Sequence, residues 1–277
     1  MEIQLWKELL QPYEQAVTEL TAKFNCLRDE FRKNNQHSPI ETVSGRVKTV
    51  TSILEKMQKK GIDFDRLEEE IEDIAGIRII CQFVEDIEKV TVLIRRRYDM
   101  VVIEKKDYLA NHKSSGYRSY HMIVWYTVET INGPKQIHVE IQIRTMAMNF
   151  WATTEHSLQY KYKGVLPQHV SKQLEVIADS VYQLDTQMSR VRSEIIDAEN
   201  HSETRTNLIR DIVTRIENLY KVTSHREVEK IQDEFYRIFK MNDIDELKRF
   251  QRHLDVLAEG FRAQSVDYTT PDSGNGV

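Results

Sequence analysis

The stretch YRSYHMIVWYTVETINGPKQIHVEIQIR, residues 117–144, decides the fold. Two runs with strand alternation, 117–126 and 135–144, flank Asn132-Gly133, and Asn-Gly between alternating runs is a strong hairpin signal. In the second run Ile137, Val139, Ile141 and Ile143 share one face; Gln136, His138, Glu140, Gln142 and Arg144 share the other. Upstream lie two more strand candidates, IAGIRIICQF (74–83) and DMVVIEKKDY (99–108), with a helical stretch at 85–97 between them. The second runs into a polar, basic loop, LANHKSSG (109–116). Before these strands the pattern predicts a short acidic helix at about 63–72 and a helix at about 43–60 closed by Gly61. It also predicts a helix over 3–34, with Leu10, Tyr13, Val17, Leu20, Phe24, Leu27 and Phe31 at helical spacing. After the hairpin a helix returns from Ala147 to Tyr162, Pro167 punctuates the chain, and an amphipathic helix covers about 169–198. The sum is an α+β fold: a small mixed, largely antiparallel sheet flanked by helices.

That domain is expected to occupy residues 1–203. Residues 204–265 hold only helical patterns and read as a helical extension of unknown role. The polar end, 266–277, reads as a disordered tail. A formal charge of −5 argues against wholesale coating of nucleic acid and leaves room for a local basic pocket. Cys26 and Cys81 show no metal or redox spacing and fit a reducing compartment. The chain opens without a signal-peptide pattern, and no apolar run reaches the 18 residues or so of a membrane span. These features read as a cytoplasmic protein with no membrane partner.

Several polar residues suggest chemistry, and each has a plainer reading. The strand face carrying Glu140 lies across the hairpin from Tyr117, Ser119 and His121, and that neighbouring strand comes just after a loop region with Lys105, Lys106, His112 and Lys113. It is either the wet face of an antiparallel sheet or a carboxylate beside cations, the make-up of many phosphate sites. Lys48, Ser52, Lys56 and Lys59 fall on one stripe of the predicted 43–60 helix, with Arg46 in its first turn. That stripe is a solvated face or a phosphate contact. Asp73 heads an apolar strand, as a chain terminus reaching water or as a Mg²⁺ ligand. Arg78 lies inside that strand and needs a partner or a pocket; its flat guanidinium can stack on a base or pair with phosphate. No P-loop, GxGxxG, HExxH or GxSxG motif occurs.

In order, HSPIETVSGRVKTVTSILEK (37–56), EDIAGIRIICQFVEDI (72–87), DYLANHKSSGYRSYHMIV (107–124) and VEIQIRTMAMNFWATTEHSLQYKY (139–162) resemble the synthetase domain of the RelA/SpoT family. They are most similar to its small, single-domain alarmone synthetases, and the resemblance covers roughly residues 3–200. It implies a nucleotidyltransferase-like fold that moves pyrophosphate from ATP to the 3′-hydroxyl of GDP or GTP, giving (p)ppGpp and AMP with Mg²⁺. It implies that Arg46, Lys48, Ser52 and Lys56 contact ATP and that Arg78 packs on adenine. Lys106 stands where such enzymes often carry an arginine that sandwiches the adenine. Asp73 is implied as a Mg²⁺ ligand, and Glu140 as a Mg²⁺ ligand or the base for the 3′-hydroxyl. Tyr117 is implied to stack on guanine, with Lys113, His121 and Asn149 also on the guanosine nucleotide. The resemblance further implies a homo-oligomer, a tetramer, with an alarmone or single-stranded RNA as regulators; helices 3–34 and 169–198 are the expected contacts, unless their apolar stripes merely cover the sheet. Asn25 and Thr42 stand where some relatives bind an activating alarmone, while Arg28 remains. No His-Asp dipeptide of the family's hydrolase domain occurs, so synthesis without hydrolysis is expected.

Two readings compete. A catalytically silent nucleotide- or RNA-binding regulator would have no chemical need for both Asp73 and Glu140. An enzyme that pyrophosphorylates another acceptor is compatible with Tyr117, since every base has a π-face.

Overall fold

The computed structural model describes residues 2–161, 167–221 and 223–267. Helix α1 (Glu2–Lys33) leads into strand β1 (Thr42–Val47) and helix α2 (Val50–Lys60). A 3-10 turn at 64–66 and the one-turn helix α3 (Leu67–Glu70) precede β2 (Ala75–Cys81) and α4 (Val84–Arg95). Then come β3 (Met100–Asp107), the hairpin β4 (Tyr120–Thr130) and β5 (Gly133–Thr145), and α5 (Met146–Lys161). Helices α6 (Gln168–Leu219), α7 (His225–Met241) and α8 (Ile244–Asp267) follow. The five strands form one sheet in the order β1-β2-β5-β4-β3, antiparallel except for the β2–β5 pair. The predicted hairpin is there, with Thr130 opposite Gly133 around Ile131-Asn132.

One sheet face makes the core. Ile77, Ile79, Met122, Val124, Val139, Ile141 and Ile143 are buried, together with Tyr13, Leu20 and Phe24 of α1. The other face carries the polar residues.

The expected helix at 43–60 is a correction. Thr42–Val47 is a strand paired antiparallel with β2, and the helix begins only at Val50. Thr49 caps it, its hydroxyl accepting the Ser52 amide. A β carbon on Gly45 would lie 2.5 Å from a Val17 methyl, so the glycine lets β1 press against α1. Arg46 is therefore on a strand, not in a helical first turn, and Lys48 precedes the helix. On the helix Ile53 and Met57 are buried, while Leu54 is exposed.

The amphipathic helix expected to end near 198 runs unbroken to Leu219. The chain divides into two compact units, 1–191 and 192–277, so the boundary expected at 203/204 falls inside a helix. The second unit has its own core, with Leu208, Ile212, Ile216, Val228, Phe235, Leu247 and Leu254 buried. Helix α8 covers 266 and 267; the rest of the tail expected to be disordered, and Tyr162, lie outside the described residues. No helix among the described residues is long and apolar enough to cross a membrane.

Candidate active site

The register of the sheet assembles the site. Gly76 lies opposite Glu140 and Arg78 opposite Gln142 across the β2–β5 pair. Arg46 lies opposite Gly76, and His121 opposite Gln142. Partners across a ladder point to one face, so Arg78, Glu140, Gln142 and His121 converge over the polar side. A cavity of about 540 Å³ opens there. Seven of the expected residues line it: Arg46, Asp73, Arg78, Lys113, Tyr117, His121 and Glu140. A smaller lobe of about 120 Å³ continues from Arg46, Asp73, Arg78 and Glu140 over Gly45 and Gly76.

Glu140 is held at both oxygens. His121 Nδ1 lies 2.9 Å from Oε1, and Gln142 Nε2 donates to Oε2 at 2.8 Å. A carboxylate only accepts, so Nδ1 carries a proton. In the neutral ring Nε2 then accepts, and the Tyr117 hydroxyl 2.9 Å away supplies its proton. Arg144 closes the circuit: Nη2 donates to the Tyr117 oxygen and, at 2.8 Å, to Gln142 Oε1. That second bond orients the Gln142 amide so that its NH₂ faces Glu140. Burial resists ionisation of Glu140, but the His121 and Gln142 contacts outweigh it and hold the carboxyl below the usual glutamate range. The Asp73 charge works against that ionisation, so the two carboxylates share one electrostatic neighbourhood.

Asp73 is bridged by two ammoniums, Lys48 at 2.6 Å and Lys56 at 2.8 Å. Burial opposes its charge, and the two lysines more than offset the burial, so it ionises below the usual aspartate range. Arg78 is destabilised as a cation by burial and by Arg144 and Arg46, and its Nε is buried without a partner. This crowd of cations beside two carboxylates suits a polyanionic ligand. Among the described residues no three His, Cys, Asp or Glu side chains gather to hold a metal alone. The two carboxylates suit a hard cation that also takes phosphate oxygens.

On the other side of the cavity the Lys113 ammonium stands 5.0 Å from the Tyr117 ring centroid and 4.9 Å from that of Tyr108. Helix α5 contributes Ala152, Thr153, Glu155 and His156 to the wall. Asn149 Oδ1, on the same helix, is buried without a hydrogen-bond partner.

Five expected residues do not line the cavity: Asn149, whose side-chain oxygen is buried on α5, and four others. Lys48 and Lys56 reach it only through Asp73. Ser52 accepts the Thr49 hydroxyl at the start of α2. Lys106 is on the polar face opposite His121, but Glu104 holds its ammonium at 2.7 Å. Gln142 and Arg144 were missed as functional candidates; their signal was the period-2 spacing from Glu140.

The chain has known counterparts. A family model described as a region found in RelA / SpoT proteins matches residues 45–165. The GTP pyrophosphokinase YjbM of Bacillus subtilis is 48% identical over 199 residues, which are 72% of this chain and 94% of that protein. The structure of small alarmone synthetase 1 from Bacillus subtilis bound to its product pppGpp matches with a TM-score of 0.68 and 49% identity, covering 69% of this chain and 98% of that one. The same synthetase bound to AMPCPP matches with a TM-score of 0.63 and 44% identity, covering 70% and 99%.

Proposed function

The chain belongs to the RelA/SpoT family, and from that premise we propose how it works as a GTP pyrophosphokinase. It transfers the β,γ-pyrophosphate of ATP to the 3′-hydroxyl of GDP or GTP, forms the alarmone (p)ppGpp and releases AMP. Glu140 is the base. A ribose hydroxyl is a poor nucleophile and needs a proton acceptor within hydrogen-bond reach. The observation that carries this role is the ionised Glu140 carboxylate on the cavity wall shared with Tyr117 and Asp73. His121 and Gln142 fix its orientation, so the proton is taken along a defined line.

Arg46 and Arg78 bind ATP on the side of β1 and β2, Arg78 against the adenine. Lys48 and Lys56, held on Asp73 in the free protein, turn to the phosphates when ATP enters; Ser52 and Lys106 complete that side. Tyr117 stacks on guanine, Lys113 and His121 meet the acceptor's phosphates, and a donor on the guanine edge satisfies the buried Asn149 oxygen. Asp73 and Glu140 would hold Mg²⁺, which when bound neutralises charge on the transferred group. We further propose a homotetramer built on an exposed apolar stripe of α6, acting in the cytoplasm, with an alarmone or single-stranded RNA as regulators.

Incubation with Mg²⁺, ATP and GDP or GTP, followed by anion exchange, should give a more highly charged guanosine species and matching AMP. Glu140→Gln should cut turnover at least roughly a thousand-fold with nucleotide binding kept. AMP without a guanosine product would mean another acceptor, and a Glu140→Gln protein that keeps its rate would remove Glu140 as the base.

A further inference from the structure

We propose that Arg118 is a positioning residue for the acceptor nucleotide: it clasps the loop carrying Lys113 and Tyr117 onto helix α6 and so sets the affinity for GDP or GTP. The proposal rests on reading Tyr117 and Lys113 as acceptor contacts.

The loop between β3 and β4 lies directly against α6. Gly116 has φ +83°, and a β carbon there would fall 2.5 Å from the Ala178 β carbon and 3.4 Å from the Glu175 Cα. No side chain fits between loop and helix at that point. Two residues on, Arg118 is only 9% exposed. Its Nη1 donates to the Gly116 carbonyl at 3.3 Å and its Nη2 to Asp179 Oδ1 at 3.1 Å. The guanidinium carbon lies 4.7 Å from the Tyr182 ring centroid. Glu175, Ala178, Asp179 and Tyr182 form one stripe of α6 at positions i, i+3, i+4 and i+7. One cation therefore joins the loop backbone, a helix carboxylate and a helix aromatic ring.

Arg118 does not line the main cavity, whereas Tyr117 does. It acts on the nucleotide through the loop. Ordering such a loop costs conformational entropy, and a clasp made before binding removes that cost from the binding step. The ATP side is built from β1, β2 and the residues before β2, which the clasp does not touch. Loss of the clasp should therefore fall on acceptor affinity alone. Once both nucleotides are bound the loop is already in place, so the chemical step is spared.

The test is steady-state kinetics on the full chain. Arg118→Met should raise the KM for GDP and GTP roughly five- to twenty-fold, with kcat and the KM for ATP within about two-fold of wild type. Asp179→Ala should move the acceptor KM the same way by less. Arg118→Lys keeps the charge beside Asp179 but loses the carbonyl contact, and should fall between. Equal rises in both KM values, or a fall in kcat at constant acceptor KM, would overturn the clasp. Should Arg118→Met fail to fold, Asp179→Ala decides, since that carboxylate is 56% exposed; an unmoved acceptor KM overturns the proposal. A wild-type protein that makes no guanosine product overturns this proposal and the synthetase reading together, whereas normal wild-type turnover with an unmoved acceptor KM overturns the clasp alone.

Discussion

Asp185 on α6 is 5% exposed and accepts a 2.5 Å hydrogen bond from the Thr145 hydroxyl. The Thr145 oxygen in turn accepts the Met148 amide in the first turn of α5, so one carboxyl group ties α6 to the start of the helix that carries Asn149. Burial pushes the Asp185 carboxyl up to about 6, with the Thr145 bond pulling the other way. A carboxyl raised above its unfolded value favours the fold while protonated. Its contribution is complete below about pH 4 and is lost as pH rises through about 6. Asp185→Asn, neutral at every pH and able to accept from Thr145, should stabilise the protein by on the order of 2 kcal/mol at pH 8 and by almost nothing at pH 4. Melting curves at the two pH values check this; an equal gain at both would show that charge is not the cause. The charged residues that line the cavity were more legible than this one. Glu140, Asp73 and Arg78 stand out because a charge in or beside an apolar strand demands a reason. Asp185 looked like an ordinary polar position, because its partner Thr145 comes from an element far away in sequence.

At the scale of elements, strand β1 shows where reading failed and why. Val43 and Val47 are four residues apart, a spacing that a helix and a strand satisfy equally well. What decides for the strand is contact: Gly45 sits under Val17 and Thr21 of α1, and Ile77 of β2 lies 3.1 Å from where its β carbon would be. Gly45→Ala should therefore destabilise the protein by about 1–3 kcal/mol through overpacking of α1 on the sheet. A urea midpoint equal to that of wild type would show that α1 yields freely. The hairpin was legible because its signals are local: a period of two and an Asn-Gly turn. The length of α6 was not. Between Asp197 and Thr206 the sequence is nearly all polar, so the apolar period that marks a helix disappears. Yet no glycine or proline lies between Gln168 and Leu219, and a helix wetted on all sides needs no apolar stripe to continue.

On the scale of the whole molecule, α6 leaves apolar surface uncovered where its inner face does not. Leu174, Ala178 and Asp185 face inward and are buried. Ile177, Leu184, Met188 and Val191 are exposed by 47–51%. They are seven, four and three residues apart, the repeat of a coiled-coil seam rather than of a helix resting on a globular surface. A monomer rarely leaves such a stripe wet, and a heptad seam fits another helix of the same kind, so a second copy of the chain is the occupant the pattern favours. Light scattering should give a mass above that of one 32.8 kDa chain. Leu184→Glu and Val191→Glu should bring it down to the monomer with little loss of fold, because both side chains are already half in water. A wild-type monomer would refute the seam. Dissociation of the variants would also make the clasp measurable in a single chain, since Ile177 of the seam is the residue next to Ala178, against which Gly116 of the loop between β3 and β4 packs.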